Sequence, residues 1–522
     1  MEYLLTIPWF LYMFLRTKKS LHMLQQNLYD DGFRYLKWIK NNFIKIMLSF
    51  DLIPLVLIPV ILFVSNNIIT YILFSITYIV LFIINYKIMK NEKVKKPLVV
   101  TARVKRLLTT LLLVYVALIY FINIKLGFNY LLLILLAAYF QYIIILLVVK
   151  INIPVEKCVY LKYKTMAVRK LKSMTNLKVV GITGSYGKTS SKNILSEILN
   201  VKYNALPTPR NLNTPYGLMI TINNHLDKFD EIFIAEMGAY KMGEIKQLCD
   251  FVHPKYGILT RIGTAHLESF GSQENIQKGK FELIESLPSD GVAVLNADDP
   301  LQVSYNLKND VKVLWIGIDN DADFRASNIK VSNIGTTFDL TIKGNNNKYK
   351  FETKLLGYAN VYNILAAIAL GYEFGINIEQ LKGAVKGVKP VEHRLEIRQN
   401  GDIFYIDDAY NSNPVGSKMA LDVLGMMPGK KIIVTPGMIE LGALQESANE
   451  KFGEFIADVC DEVILVGDKQ TKPIQKGLKN KKYDSKHIHV LEDVMDAFTL
   501  VGKLKDKTTY VLLENDLPDI FK

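Results

Sequence analysis

The chain has 522 residues, 50% hydrophobic and 22% charged, with a formal net charge of +13. Residues 1–150 hold 17 Lys and Arg against 5 Asp and Glu, whereas the remainder holds 46 against 45. A basic, apolar first third followed by a charge-balanced body fits the cytoplasmic flanks of membrane helices better than nucleic-acid binding, so no nucleic-acid partner is expected. Mean hydropathy, at +0.17, is high for so charged a chain because the apolar residues are concentrated there. Cys158, Cys249 and Cys460 are isolated, which excludes a disulfide framework and a four-cysteine zinc site and sets the soluble part in a reducing, cytoplasmic compartment.

Residues 3–15 (YLLTIPWFLYMFL) are apolar but short of the roughly 20 residues a membrane span needs. Arg16, Lys18 and Lys19 follow this run, and no small-residue cleavage site is visible, so it does not read as a cleaved signal peptide. Residues 31–45 interleave Phe33, Tyr35, Leu36, Trp38 and Ile39 with Arg34, Lys37 and Lys40, the pattern of a helix lying in the membrane interface. Four longer apolar segments, 46–64, 68–86, 107–123 and 128–149, predict transmembrane helices in two hairpins. The loop 87–106 between the pairs is rich in Lys and Arg, which places it and Lys150 on the cytoplasmic side. Asp51 is expected to be a solvated helix-end residue, because a carboxylate at mid-bilayer costs about 2.5–3.5 kcal/mol and much less near the interface. Residues 151–178, with seven cations from Lys157 to Lys178 against Glu156, read as a basic juxtamembrane linker resting on anionic headgroups.

After residue 178 short β-rich runs alternate with helical patterns. Strands are predicted at 179–183, 231–236, 256–260 and 292–296, and again at 403–407, 431–435, 462–466, 487–491 and 509–513. Such alternation implies parallel sheets covered by helices. The expected fold class is an α-helical transmembrane N-terminal region, residues 1–150, and the linker 151–178, followed by two α/β domains, 179–390 and 391–522.

The first of these strands enters Gly184-Ser185-Tyr186-Gly187-Lys188-Thr189, and a helical pattern with Ile194, Leu195 and Ile198 on one face follows. Strand, glycine turn and helix N-terminus form the layout of a phosphate-binding loop, in which backbone N–H groups and the helix dipole meet phosphate oxygens. Lys188 can neutralise the outer phosphates, and the Thr189 hydroxyl can help hold magnesium. Ile182 stands where the common form of the motif has its first glycine. Glu236 ends the strand in IFIAEMGA, His266 follows the strand in ILTRIGTAHLESFGS, and Lys280 lies on a helix in NIQKGKFELIESL. Glu236 and His266 are ligand types that can complete magnesium coordination around a triphosphate.

In this order these residues resemble the Mur ligase family. Residues 184–189 match the family's GSxGKT loop, Glu236 and His266 its metal-binding glutamate and histidine, Lys280 its carbamoylated lysine, and residues 295–300 its LNADDP. GYANVYNILAAIA, HRLE and DDAYNSNP resemble later motifs, with Asn360 at an adenine-contacting position and Arg394 and Asp408 reaching the nucleotide from the C-terminal domain. The resemblance implies a P-loop central domain and a Rossmann-like C-terminal domain, with ATP and Mg2+ as cofactors. It makes Lys188, Glu236, His266 and Lys280 catalytic, and Thr189, Glu236, His266 and Lys280 the metal set. The implied chemistry is amide formation through an acyl phosphate. DDAYNSNP and MIELG point to the branch that joins D-alanyl-D-alanine to a muramoyl tripeptide.

Departures cluster in the amine-handling half. Ala359 replaces a histidine, His393 a glycine, Pro436-Gly437 a Gly-Asp pair, Asn449 a histidine, and Glu514-Asn515-Asp516 a Lys-Gly-Ser-Arg stretch. The apolar N-terminal region occupies the place of the domain that grips a uridine nucleotide sugar, so the donor is expected to be a muramoyl peptide, UDP-linked or lipid-linked, met at the membrane. Two other readings stand beside this one: an ATP-binding membrane scaffold for cell-wall enzymes, and a Mur-like ligase amidating a lipid-linked precursor. The amidating type carries a cysteine-rich zinc ribbon that three scattered cysteines cannot supply.

Overall fold

The apolar runs beyond residue 178 become the strands of two sheets. The computed structural model describes residues 3–27, 29, 33–57, 68–91, 97–121, 136–410, 412–439 and 441–516. The chain divides into one unit reaching Lys162 and another starting at Tyr163.

In the second unit the central sheet contains β1 (Lys178–Thr183), β2 (Ala205–Pro207), β3 (Ile232–Glu236), β4 (Tyr256–Leu259), β5 (Val292–Asn296), β6 (Lys312–Gly317), β7 (Phe324–Ser332), β8 (Gly335–Ile342) and β9 (Lys348–Thr353), in the order β2-β3-β1-β4-β5-β6-β7-β8-β9. Strands up to β7 pair in parallel, as expected of buried apolar runs joined by helices. The antiparallel β7-β8-β9 extension was not among the expected strands. Helices Lys188–Leu199 and Gly357–Glu373 contribute Ile194, Leu195, Ile198, Ile364, Leu365 and Ile368 to one core with Val180 and Ile182 of β1. That packing brings the phosphate-loop helix beside the helix bearing Asn360 and Asn363.

The second sheet contains β10 (Glu396–Asn400), β11 (Ile403–Asp408), β12 (Lys430–Thr435), β13 (Glu462–Val466), β14 (Ile488–Leu491) and β15 (Thr509–Glu514), in the order β10-β11-β15-β12-β13-β14. Apart from antiparallel β10 its strands are parallel, with an apolar core on each face.

The first unit is helical, and it corrects several expectations. The segment 46–64 is not one helix: Phe43–Met47 ends, Ser49 caps a turn by accepting from the Asp51 backbone N–H, and Pro54 begins the short helix Ile53–Val56. Residues 58–64, 122–123 and 128–135 of the expected spans lie outside the described residues. Among those described, one helix is long and apolar enough to cross a membrane, Tyr71–Lys90 within Ile68–Asn91, with a mean hydropathy of 1.9. The expected linker is instead helical to Ser173, continuing the helix Gln141–Ser173. Residues 155–173 contain no glycine or proline and are rich in good helix formers.

Asp51 is not solvated. It is 8% exposed, its Oδ2 lies 2.5 Å from Arg16 Nη1, and its Oδ1 accepts hydrogen bonds from Tyr12 Oη (2.6 Å) and Asn85 Nδ2 (3.2 Å). The partners come from separate helices, so the pairing that offsets the carboxylate's desolvation is invisible in local sequence.

Candidate functional site

β1 lies between β3 and β4, and Ile182 pairs in register with Glu236. The loop leaving β1 therefore emerges beside the carboxyl end of β3, where ligands meet parallel sheets. Gly187, at φ 82°, precedes the helix Lys188–Leu199, and a Cβ there would sit 3.0 Å from Asn363 Oδ1. At Gly184 a Cβ would fall 1.9 Å from Thr260 Oγ1. The glycines are thus required by the close approach of neighbouring chain as well as by backbone conformation.

Lys188 Nζ arches over the loop, donating to the Gly184 carbonyl (2.8 Å) and the Ser185 carbonyl (3.3 Å). Burial lowers its pKa, Glu236 opposes that shift, and Arg394 adds to it. Thr189 Oγ1 donates to Glu236 Oε1 at 3.2 Å, and Asn213 Nδ2 reaches the same oxygen at 2.9 Å. The other oxygen, Oε2, is buried without a well-formed hydrogen bond, although Lys192 Nζ stands 3.2 Å away as an ion-pair partner. His266, at φ 62°, faces the Tyr240 ring with centroids 4.5 Å apart.

These groups line one cavity of about 390 Å3, whose opposite wall belongs to the C-terminal sheet. Ser185, Tyr186, Gly187, Lys188, Thr189, Glu236 and His266 line it from one side, Asn360 and Asn363 from the adjacent helix, and Arg394 and Asp408 from the other side. Asn360 Nδ2 donates to the Leu356 carbonyl (2.9 Å), which fixes its carboxamide at the cavity wall. The Arg394 guanidinium stacks over the Tyr410 ring at 4.2 Å, between two residues, His393 and Leu395, that hold left-handed φ values of 59° and 51°. Such backbone recurs where a structure fixes a functional side chain. Asp408 Oδ1 accepts from the Leu395 N–H at 3.2 Å.

Lys280 is the exception among the expected residues, for it is not among those lining the cavity. It is 1% exposed on the helix Gln273–Glu285, donating to the Ala239 carbonyl at 3.5 Å and standing 5.3 Å from the Phe270 ring centroid. Burial, with a smaller contribution from Lys188, brings its pKa down to about 7, while Glu244 and Glu282 oppose the shift. As an amine it is no magnesium ligand. The remaining donors, a hydroxyl, the carboxylate it touches and an imidazole, suit a hard cation beside a triphosphate. Because the set is chemically mixed, no group of three His, Cys, Asp or Glu gathers among the described residues.

Several of the expected departures are hydrogen-bonded within the C-terminal domain. His393 Nδ1 lies 2.8 Å from Asp407 Oδ2, and Asn449 accepts from the Met438 N–H (2.8 Å) while donating to the Met438 carbonyl (2.9 Å). Asn515 Nδ2 donates to the Gly437 carbonyl (2.6 Å) and its Oδ1 accepts from the Ser412 N–H (3.1 Å). Glu514 Oε1 accepts from Ser412 Oγ and Ser417 Oγ, both at 2.8 Å, and its register neighbour is Asp408. Burial pushes both acids' pKa values up; Asp407 adds to the shift at Asp408, against Arg394, and Asp408 adds to the shift at Glu514. This wall is rebuilt consistently.

The descriptions of known families agree with this geometry. Residues 182–371 match the Mur ligase middle domain and residues 393–513 the Mur ligase glutamate ligase domain. The chain is 34% identical over 326 residues to the UDP-N-acetylmuramoyl-tripeptide–D-alanyl-D-alanine ligase of Bacillus subtilis, spanning 61% of this chain and 69% of that protein. The chain belongs to the Mur ligase family. Mur ligases are ATP- and Mg2+-dependent, and membership carries that enzyme class with it. The Escherichia coli ligase of the same name is also 34% identical, over 56% of this chain and 64% of its own length. Among solved structures, MurF ligase from Thermotoga maritima in complex with ADP superposes with a TM-score of 0.62 at 26% identity, covering 68% of this chain and 80% of that one.

The Mur ligase site holds two residues that sequence reasoning missed, Lys192 and Asn213. Lys192 lies one helical turn past Lys188, on the same face, which was the available signal.

Proposed function

We propose that the protein is a membrane-anchored, ATP-dependent acid–amino-acid ligase of peptidoglycan synthesis. It would activate a muramoyl-peptide carboxylate as an acyl phosphate and join it to an amine such as D-alanyl-D-alanine. The observation that carries this reading is the single cavity with Lys188, Thr189 and Glu236 on one wall and Arg394 and Asp408 on the other. The nucleotide half lies in residues 179–390 and the C-terminal half from 391 onward.

In this reading the loop Gly184–Thr189 wraps the phosphates with its N–H groups, and Lys188 offsets charge growing on the transferred phosphoryl group. Arg394 supplies a second cation from the facing wall, so closure of the two walls excludes water from the acyl phosphate. Asn360 meets the adenine. Thr189, Glu236 and His266 would hold Mg2+, which supplies charge neutralisation along the phosphates. Lys280 would join them once carbamoylated: its neutral amine adds to the carbon of CO2 and loses a proton, leaving an anionic carbamate. A lysine whose pKa is near 7 offers that neutral amine at physiological pH.

Anchoring is supported by the helix Ile68–Asn91, in which only 22% of the apolar window is buried, and by Ile69, Ile72, Ile76, Ile79 and Ile83, all exposed. With the basic residues around it, this supports a catalytic half on the cytoplasmic side, where a lipid-linked donor would be met. The test is phosphate release by detergent-solubilised protein given ATP, a panel of D-dipeptides and both donor forms. Amine-dependent release with a muramoyl-peptide donor supports the reading; ATP binding with no amine-dependent release favours a scaffold. Equal turnover of UDP-linked and lipid-linked donors contradicts the lipid-linked part.

A further inference from the structure

We infer that Lys192 is the positioning residue that fixes Glu236 and, through the Arg210 carbonyl, ties that carboxylate to the loop 208–213 on the cavity wall. The inference rests on the reading of Glu236 as a magnesium ligand. Lys192 and Glu236 each have side chains only 1% exposed, with Nζ 3.2 Å from Oε2. Neither charge is tolerable there alone, because an uncompensated buried ion costs several kcal/mol.

The distribution of partners gives the pair its function. Thr189 and Asn213 both reach Oε1, whereas Lys192 is the partner of Oε2 among the described residues. The carboxylate plane is therefore held between the two sets of partners, with one oxygen toward Lys192 and the other toward the Thr189 hydroxyl. A cation arriving there shares Glu236 with Lys192. Groups that orient a metal ligand in this way typically matter about 10- to 100-fold in metal affinity.

The same ammonium donates to the Arg210 carbonyl at 2.6 Å, at a residue held at φ 48°. The loop is also fastened at both ends to β3 and the turn after it. Thr208 accepts from the Glu236 N–H (3.1 Å), and the Asn213 carbonyl accepts from the Gly238 N–H (2.9 Å). Asn211 and Asn213 line the cavity. Lys192 thus links the cation-facing carboxylate to the middle of a wall-forming loop.

The test compares the full chain with Lys192→Met, Glu236→Gln and the double variant, in detergent, by thermal unfolding, by Mn2+ binding without nucleotide, and by amide hydrogen exchange over 208–213. The account expects Lys192→Met to lower the unfolding midpoint by about 5 °C or more and Mn2+ affinity by about tenfold, with faster exchange in the loop. The double variant should be more stable than either single, because it removes both buried charges. Additive destabilisation, or unchanged Mn2+ affinity and loop exchange in Lys192→Met, overturns the inference. Should Lys192→Met not fold, a double variant that folds supports the pairing and one that also fails contradicts it. Unchanged Mn2+ affinity in Glu236→Gln would instead overturn the metal reading beneath it.

Discussion

Behind the central wall of the cavity, Lys192 and Glu236 are each 1% exposed and stand 3.2 Å apart; on the C-terminal side the register neighbours Asp408, half-buried, and Glu514, buried, are both acids. The Lys192–Glu236 pair is neutral before any ligand arrives, and the loop 184–189, Glu236, His266 and Asn360 are all present. The C-terminal side carries Glu514, whose carboxylate is held by Ser412 and Ser417 rather than by cations. On the proposed reading the two halves are separable: nucleotide chemistry is kept while the charge around the incoming amine differs.

Variants on each wall can break or sharpen that separation. The largest effect is expected from Lys188→Ala, which should reduce ATP-dependent phosphate release by on the order of 10³-fold. Arg394→Ala removes a cation that the C-terminal wall offers the phosphates and should cost about 10- to 100-fold in kcat/KM for ATP. Glu514→Lys should shift the KM for the amine by about tenfold while the KM for ATP stays within about threefold. If both KM values moved together, the walls would not be separable.

The smallest effect concerns pH. Folded-state pKa values of Asp408, pushed up to about 7, and of Glu514 lie above their unfolded values. The folded state therefore binds more protons from about pH 4 to 7, and stability falls as pH rises through that window. Glu514→Gln should raise the thermal midpoint by a few degrees at pH 8 and change it little at pH 4. A uniform shift at both pH values would mean that the acids do not repel one another.

The parallel strands were readable because a strand buried on both faces must be a run such as Val179-Val180 or Ile232-Phe233-Ile234. The phosphate loop and Glu236 were readable because strand, glycine and helix follow within a few residues. The antiparallel extension was not, since β7 alternates buried and exposed residues, with Lys330 among the exposed ones, and lacks a continuous apolar run. Lys192 looked like any surface lysine on a helix. Only the approach of β3 and the loop 208–213 shows it buried. Asp51 failed for the same reason, its partners Arg16 and Asn85 lying far along the chain.

The most direct test of the central claim is isotope transfer. A muramoyl-peptide donor carrying 18O in the reacting carboxylate is incubated with ATP, an accepted amine and the detergent-solubilised protein, and the released phosphate is analysed by mass spectrometry. The account predicts one 18O atom in each phosphate, because the carboxylate oxygen that attacks the γ-phosphate leaves with it when the amine displaces the acyl phosphate. Phosphate released at an amine-dependent rate without 18O would contradict it.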